Sequence, residues 1–531
     1  MTFHDARKLD VGSIAADTCI VGAGAAGITL AREFVGGSQR VVLLEGGDFE
    51  FRHRSQFLYL GTNTGTPNYS TAWSRFRRFG GTTTRWAGQC RPFDALDFEA
   101  RDWVEDSGWP MTGDELEPWY RRAQRVCNLG PYDYSPAAWQ LQDASALYVA
   151  NDRLDTKIYQ FSHPSDFGAV YRAELAAAAN VDVYLNANVV EIELDQHANS
   201  VGGVCVATFN GRNIRVQART YVLACGGIEN ARLLLASNRT CGPGIGNAHD
   251  LVGRYFMDHP YFLVGHYLPS DPRYANSTYV IEDYERVGSE QKISAGFTLH
   301  DDLLRAERLN GCAVYFVPRP VYKSQPEYFS PGGKSFIHLI DVLSHSELPD
   351  RGFGSHLLNI VRGYRDVGRT LARWTAELAR PQRVIALRAV LEATPNRDSR
   401  VRLGSRKDHF GMPRVEVDWR LNSADQRGLR RLLSVMRDEF TRLGLGTLVL
   451  DPAVFSTGWH SSMTGGKHHM GTTRMHADPR RGVVDENCRV HALANLYIAG
   501  SSVFPTASYA NPTLTIVALA IRLADHLKSR D

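Results

Sequence analysis

Within the first 45 residues a short apolar strand leads into a glycine-spaced turn, a helix and a second strand ending in an acid. Between about 260 and 455 strand-like runs alternate with turns. These two textures predict an α/β chain of the two-domain α+β kind. One part is a Rossmann-like nucleotide-binding domain, the other a substrate domain built on an antiparallel sheet backed by helices. A chain of 531 residues is long for one compact domain, so two or three units are natural.

Composition narrows the class. Hydrophobic residues make up 43% and charged residues 22%, ordinary for a globular protein whose core needs neither disulfides nor structural metal. Sixty basic against 57 acidic side chains leave a net charge of +3, too small to argue for nucleic acid or an anionic membrane as partner. The eight cysteines are scattered with no Cys-x-x-Cys pair, and Cys19, Cys205 and Cys225 lie in apolar runs, which predicts reduced thiols. The opening Met1-Thr2-Phe3-His4-Asp5-Ala6-Arg7-Lys8 has no basic stretch followed by an apolar one, and no window holds 18 apolar residues. The expectation is a soluble, cytoplasmic protein.

Taken in order, residues 17–21 read as a buried strand, Ile28 to Val35 as a helix and Val41 to Leu44 as the next strand, ending in Glu45. From about 49 to 110 the chain is rich in Gly, Arg, Thr and aromatics without periodicity, a long functional loop. A helix begins near Thr112 and runs through Trp119 and Tyr120. Alternating segments at 181–193 and 203–218 precede the apolar strand Tyr221 to Ala224, which ends in Cys225-Gly226-Gly227 and opens a helix to Ala236. In the second region, runs at 260–268, 292–299, 311–317, 384–393 and 414–419 predict one sheet, with Thr394-Pro395-Asn396-Arg397-Asp398 as a hairpin turn. Ser423-Ala424-Asp425-Gln426 predicts a capping box. The stripe Leu429, Leu432, Leu433, Met436, Phe440 and Leu443 then predicts a helix. A basic amphipathic helix is expected over about 355–380, with Leu357, Val361, Tyr364, Leu371 and Trp374 on one side and its arginines elsewhere; it suits a partner or a lipid surface, and a solvated face packed on its own protein is the favoured reading.

Each glycine of Gly22-Ala23-Gly24-Ala25-Ala26-Gly27 has a mechanical reason. Gly22 makes the tight turn, Gly24 lets the backbone approach a pyrophosphate, and Gly27 lets helix and strand pack closely. The helix N-terminus offers N–H groups to phosphates. Glu45, 23 residues after Gly22, suits ribose hydroxyls and repels a 2′-phosphate, which disfavours NADP. The fingerprint alone does not separate NAD from FAD.

At the other end stand His468-His469-Met470-Gly471-Thr472-Thr473-Arg474-Met475 and, further on, Tyr509-Ala510-Asn511-Pro512-Thr513. The first resembles the active-site histidine motif of the glucose–methanol–choline oxidoreductase family. Leu496 through Thr506, leading to Asn511-Pro512-Thr513-Leu514-Thr515, resembles that family's C-terminal signature. Val252 through Pro260, and the flavin loop Gly80-Gly81-Thr82-Thr83-Thr84-Arg85-Trp86, resemble two more of its segments. The matches are spread from residue 17 to about 525.

The resemblance implies FAD and an alcohol whose hydride passes to flavin N5. It places His468 as the base and Asn511 as the second active-site residue, bonding the reacting oxygen. His469 becomes a candidate for lining the substrate pocket, and His476 reads as structural or surface. Asn511-Pro512 also reads as a helix cap before Thr513. Cofactor contacts are expected from Gly22, Gly24, Gly27, Glu45, Thr83, Thr84, Arg85, Val190, Gly227, Gly500, Ser501, Asn511 and Thr513, although Thr82, Thr83 and Thr84 equally suit packing of their own loop. Members resembling pyranose 2-oxidases carry a covalently linked histidine where Arg85 stands, so FAD here is expected to be non-covalent.

The implied domains are a discontinuous FAD-binding unit of 1–110, 160–259 and 456–531, and a substrate unit of 111–159 and 260–455. The motifs are most similar to bacterial pyranose oxidases and glycoside 3-oxidases, which implies oxidation of a secondary pyranose or glycoside hydroxyl, at C2 or C3, to a ketone. A non-sugar alcohol or steroid as substrate, a flavin-containing lyase, and an NAD(P)H-dependent aromatic hydroxylase are the rival readings. The electron acceptor is oxygen or an external carrier, since no haem or iron–sulfur spacing occurs. No motif fixes the number of subunits, and no metal site is read.

Overall fold

A computed structural model describes residues 3–139, 147, 149–276, 292–320, 323, 326–344, 353–379 and 383–530. Its first sheet runs in the order Phe3–Asp5, Val181–Leu185, Val41–Leu44, Ser13–Val21, Asn213–Leu223, Val201–Ala207, Asn188–Leu194, with Leu496–Ile498 paired beside Asn213–Leu223. The pairings from Phe3–Asp5 to Leu496–Ile498 are parallel, and the last two strands return antiparallel. Strand Val41–Leu44 is buried along its whole length, as parallel strands covered on both faces must be. Helix Ala25–Glu33 follows the glycine turn as expected.

The second sheet orders Gly446–Leu450, Pro260–Pro269, Arg383–Leu391, Cys312–Pro320, Ile293–Leu299, Leu154–Phe161 and Gln89–Cys90, with Thr464–Gly465 beside Pro260–Pro269. All its pairings are antiparallel. Its two faces differ because successive side chains alternate. One face packs Val314, Phe316, Leu387 and Ala389 under helix Asp425–Arg442, whose Leu429, Leu432, Leu433, Met436 and Phe440 are fully buried. The other face carries Tyr159, Tyr315, Val390 and Tyr261 against Tyr509.

Several expectations need correction. The 394–398 turn is not a hairpin within one sheet. It joins Arg383–Leu391 to Arg400–Lys407, which with Pro413–Asp418 and Thr62–Asn63 makes a separate three-stranded sheet. The run at 414–419 therefore leaves the main antiparallel sheet. The capping box at Ser423 does not form. The N-cap is Ala424 without a side-chain bond, while the Asp425 carboxylate accepts from the backbone N–H of Asn422 and Thr394. Leu443, at the helix end, is exposed.

The helix expected over 355–380 is two, Phe353–Arg362 and Tyr364–Ala379, with residue 380 outside the described residues. It breaks at Gly363, where a Cβ would come 2.9 Å from the Cα of Gly332. Both pieces pack on helix Pro331–Ser344, yet Leu357, Leu358, Val361, Tyr364 and Leu371 stay exposed. The expected domain boundaries also interleave. Helix Gly113–Val126, capped by Thr112 and Glu115, buries Leu116, Tyr120 and Ala123 in the first core, and strands Gln89–Cys90 and Thr464–Gly465 pair into the second sheet. No helix among the described residues is long and apolar enough to cross a membrane.

Candidate active site

Between the two sheets lies a cavity of about 1450 Å³. Single small-molecule sites span roughly 300–1,000 Å³, so this one has room for a dinucleotide and a second molecule. At one end the turn after Ser13–Val21 meets it. Gly22 adopts φ +104°, and a Cβ there would sit 2.6 Å from the Ala224 carbonyl oxygen. A Cβ on Gly27 would sit 1.8 Å from the Gly22 carbonyl oxygen, so Gly27 serves packing and does not line the cavity.

Gly24, Gly226 and Gly500 are different. Nothing lies within 4 Å of where their Cβ atoms would be, and all three line the cavity. Three bare backbone segments thus converge on space that a bulky ligand fills. The buried Glu45 carboxylate accepts from the Ala23 N–H (3.0 Å) and the Gly47 N–H (2.7 Å) and faces the same end. The Asn511 side-chain oxygen is buried without a partner, so it awaits a donor from a bound molecule. These features fit the FAD that the motifs imply.

The other expected contacts are distributed unevenly. Gly227, Ser501 and Thr513 line the cavity. Val190 does not; it lines a second pocket of about 60 Å³ that shares Gly22 and Glu45 with the first. The Thr83 hydroxyl donates to the Gly80 carbonyl and the Thr84 hydroxyl to the Gly81 carbonyl, so both hold their own loop, and Thr84 is off the cavity wall. The Arg85 guanidinium sits 5.6 Å from the Phe76 ring, at the wall. The His469 ring lies 5.8 Å from Phe256. It is held neutral, its pKa pulled to about 3 by burial and then by Arg75 and Lys467. His476 is structural, its Nδ1 accepting from the Asp478 N–H.

His468 is held twice. Asp258, fully buried, accepts from the backbone N–H of Gly466 and His468 (3.0 and 2.8 Å). The His468 Nδ1 lies 3.0 Å from the Nδ1 of His259, whose Nε2 lies 3.2 Å from the Ala507 carbonyl oxygen. Burial pulls the His259 pKa to about 4, so this ring is neutral. A carbonyl only accepts, which puts the His259 hydrogen on Nε2 and leaves its Nδ1 as an acceptor. His468 must then donate from Nδ1, and its remaining nitrogen, Nε2, keeps a bare lone pair in a ring that lines the cavity. Burial, with His259 and His469 beside it, holds the His468 imidazole well below its ordinary range.

The segment that supplies Ala507 is itself anchored. Trp109 donates to the Thr506 hydroxyl, Ser508 (φ +53°) donates to Asp97, and Tyr509 donates to Asp94. Ser508 also accepts from the Ala510 N–H. The turn that ends in Asn511 is therefore fixed in position.

The sequence model of the GMC oxidoreductases matches residues 395–520. Over those residues the chain carries the C-terminal domain of this family. It is an FAD-dependent oxidoreductase acting on CH–OH donors. It is similar to 6'''-hydroxyparomomycin C oxidase of Streptomyces lividus, 27% identical over 96% of this chain and 92% of that protein. Over a shorter stretch, 22% of this chain and 21% of the relative, it is 37% identical to C-glycoside 3-oxidase of Arthrobacter globiformis. Its fold matches the crystal structure of pyridoxine 4-oxidase from Mesorbium loti with a TM-score of 0.61, at 17% identity over 97% of this chain and 99% of that one.

Sequence reasoning missed Asp258 and His259 as parts of this site, although their segment resembles one of the family's. The only local sign is the run Asp258-His259-Pro260, a polar pair entering a strand that is otherwise largely apolar.

Proposed function

We propose that this GMC oxidoreductase oxidises a secondary hydroxyl of a pyranose or glycoside to a ketone, with non-covalent FAD, His468 as general base and Asn511 holding the reacting oxygen. When bound, FAD supplies the acceptor for the hydride. His468 Nε2 takes the hydroxyl proton, so the product leaves as a neutral ketone and not as a protonated carbonyl. Asn511 presents its amide to the same oxygen. Gly24, Gly226 and Gly500 leave room for the nucleotide, and Arg85, a guanidinium, forms no covalent bond to it.

The observation that carries the reading is the contact chain from Ala507 through His259 to His468, which favours a proton-free Nε2 on a ring that lines the cavity. Tyr261 and Phe262 in the cavity lining support a ring-shaped substrate, because aromatic faces stack on the apolar face of a sugar. The relatives named for a hydroxyparomomycin and a C-glycoside point the same way. Anaerobic mixing with a library of sugars, glycosides and simple alcohols tests it. Flavin bleaching by pyranosides supports the proposal, and bleaching by non-sugar alcohols alone ends it.

Two further outcomes follow from the histidine pair. Because the His468 pKa lies well below 6.5, the base stays unprotonated as pH falls through that value. The rate constant for flavin reduction is therefore flat from about pH 8 down past 6.5 and declines only at lower pH; an acid limb centred at 6.5 or higher in stopped-flow data contradicts this. His259→Phe keeps the ring volume but removes the acceptor that orients His468. We expect flavin content to be retained and reduction to slow by about 10–100-fold, the scale typical of losing a partner that fixes a histidine tautomer. An unchanged rate would mean that His259 plays no part.

A further inference from the structure

The strand Arg383–Leu391 places Arg388 on the tyrosine face of the second sheet, opposite Tyr315 and Leu263 in register. Its guanidinium carbon lies 5.8 Å from the Tyr261 ring centre and 6.0 Å from that of Tyr315. The Tyr261 ring is in turn 6.2 Å from His468. Arg388 lines the large cavity, and its Nε is buried with no hydrogen-bond partner. No ion pair holds its guanidinium among the described residues.

Arg388 is half-buried, and four buried arginines of the chain are by contrast paired with acids. Arg75 pairs with Glu229 at 3.0 Å, Arg91 with Asp94 at 2.6 Å, Arg232 with Asp408 at 2.7 Å, and Arg101 with Glu392. A half-buried guanidinium without an acid partner in a cavity wall is open to a counter-charge from outside. The cavity does not provide one: among its described lining residues Glu45 is the sole carboxylate, and it is bonded to backbone N–H groups at the nucleotide end. Lys334, on the same wall, donates to the Ser461 carbonyl and meets no acid there.

We propose that Arg388 receives a carboxylate carried by the substrate, so that the preferred substrate is a uronic acid or uronoside rather than a neutral or cationic sugar. This deepens the sugar-oxidation reading and rests on it. The planar fork of a guanidinium pairs with a carboxylate through two parallel N–H···O bonds. Only binding is altered, and the hydroxyl oxidised remains elsewhere on the ring.

The test uses the FAD-loaded protein and two readouts. Thermal unfolding is followed with glucose, glucuronate or glucose 6-phosphate present, and anaerobic flavin bleaching is followed with methyl glucoside against methyl glucuronide. We expect glucuronate alone to raise the unfolding temperature, and methyl glucuronide to half-saturate reduction at a concentration about 10- to 100-fold below that of the glucoside. Arg388→Met should erase both preferences, and Arg388→Lys should keep only part of them. Equal responses to acid and neutral sugars, or the same preference ratio in Arg388→Met, overturn the proposal. Stabilisation by glucose 6-phosphate but not glucuronate overturns the choice of carboxylate. Stabilisation by glucuronate through Arg388 without bleaching by any sugar leaves the anion site standing and removes the sugar-oxidation reading instead.

Discussion

Replacing His468 by alanine is expected to leave FAD bound and to slow its reduction by substrate about 10²–10⁴-fold, the usual worth of a positioned general base. The separation of the two effects follows from where the groups sit. The turns that make room for the nucleotide, at Gly24, Gly226 and Gly500, lie on other segments and do not lean on the imidazole. Removing the ring leaves a buried hole beside His259, whose Nδ1 loses its donor. Water entering that hole takes the proton poorly, since it is a weaker base and not oriented. Asn511→Ala is expected to slow the same step less, because an amide stabilises the oxygen without accepting its proton. Stopped-flow flavin reduction under nitrogen, with flavin content measured by absorbance, reads both quantities. Equal rates for wild type and His468→Ala would remove this residue from the chemistry.

The second large effect is at Gly27. A Cβ there would lie 1.8 Å from the Gly22 carbonyl oxygen, and on the other side it would already touch the Ala224 Cβ at 3.4 Å. Neither neighbour is the end of a flexible side chain. The turn or helix Ala25–Glu33 must shift bodily, and overpacking of this kind costs roughly 1–3 kcal/mol. Gly27→Ala should therefore purify without yellow colour and unfold at a lower temperature. Gly24→Ala is the control: its Cβ meets only open cavity, so the apoprotein should unfold like wild type while FAD binding weakens. If both variants retain flavin equally, the two glycines do not have the separate tasks assigned to them.

The elements that were legible in the sequence are those whose causes are local. The buried run Val41–Leu44 and the glycine turn announce themselves because both faces of a parallel strand are covered and only glycine fits the turn. The stripe of helix Asp425–Arg442 is legible for a similar reason: every third or fourth residue from Leu429 to Phe440 is buried. What failed depended on distant partners. The Asp425 carboxylate, in the first turn of that helix, bonds Thr394, 31 residues away, a partner no local pattern announces. The helix break at Gly363 depends on a close pass by Gly332.

The candidate site divides in the same way. His468 and Asn511 stood in runs that resemble a family. His259 acts across 209 residues of sequence, and Arg388 reads simply as a charged residue in a strand until the cavity shows that it lacks a partner.

The segment from Thr506 to Asn511 carries both the carbonyl that orients the histidine pair and the amide proposed to hold the substrate oxygen. Proton acceptor and oxygen clamp are thus tied through one segment, whereas Arg388 stands on a separate strand of the second sheet. Such an arrangement lets the recognition surface be re-tooled, by design or by drift, while the reaction centre keeps its alignment.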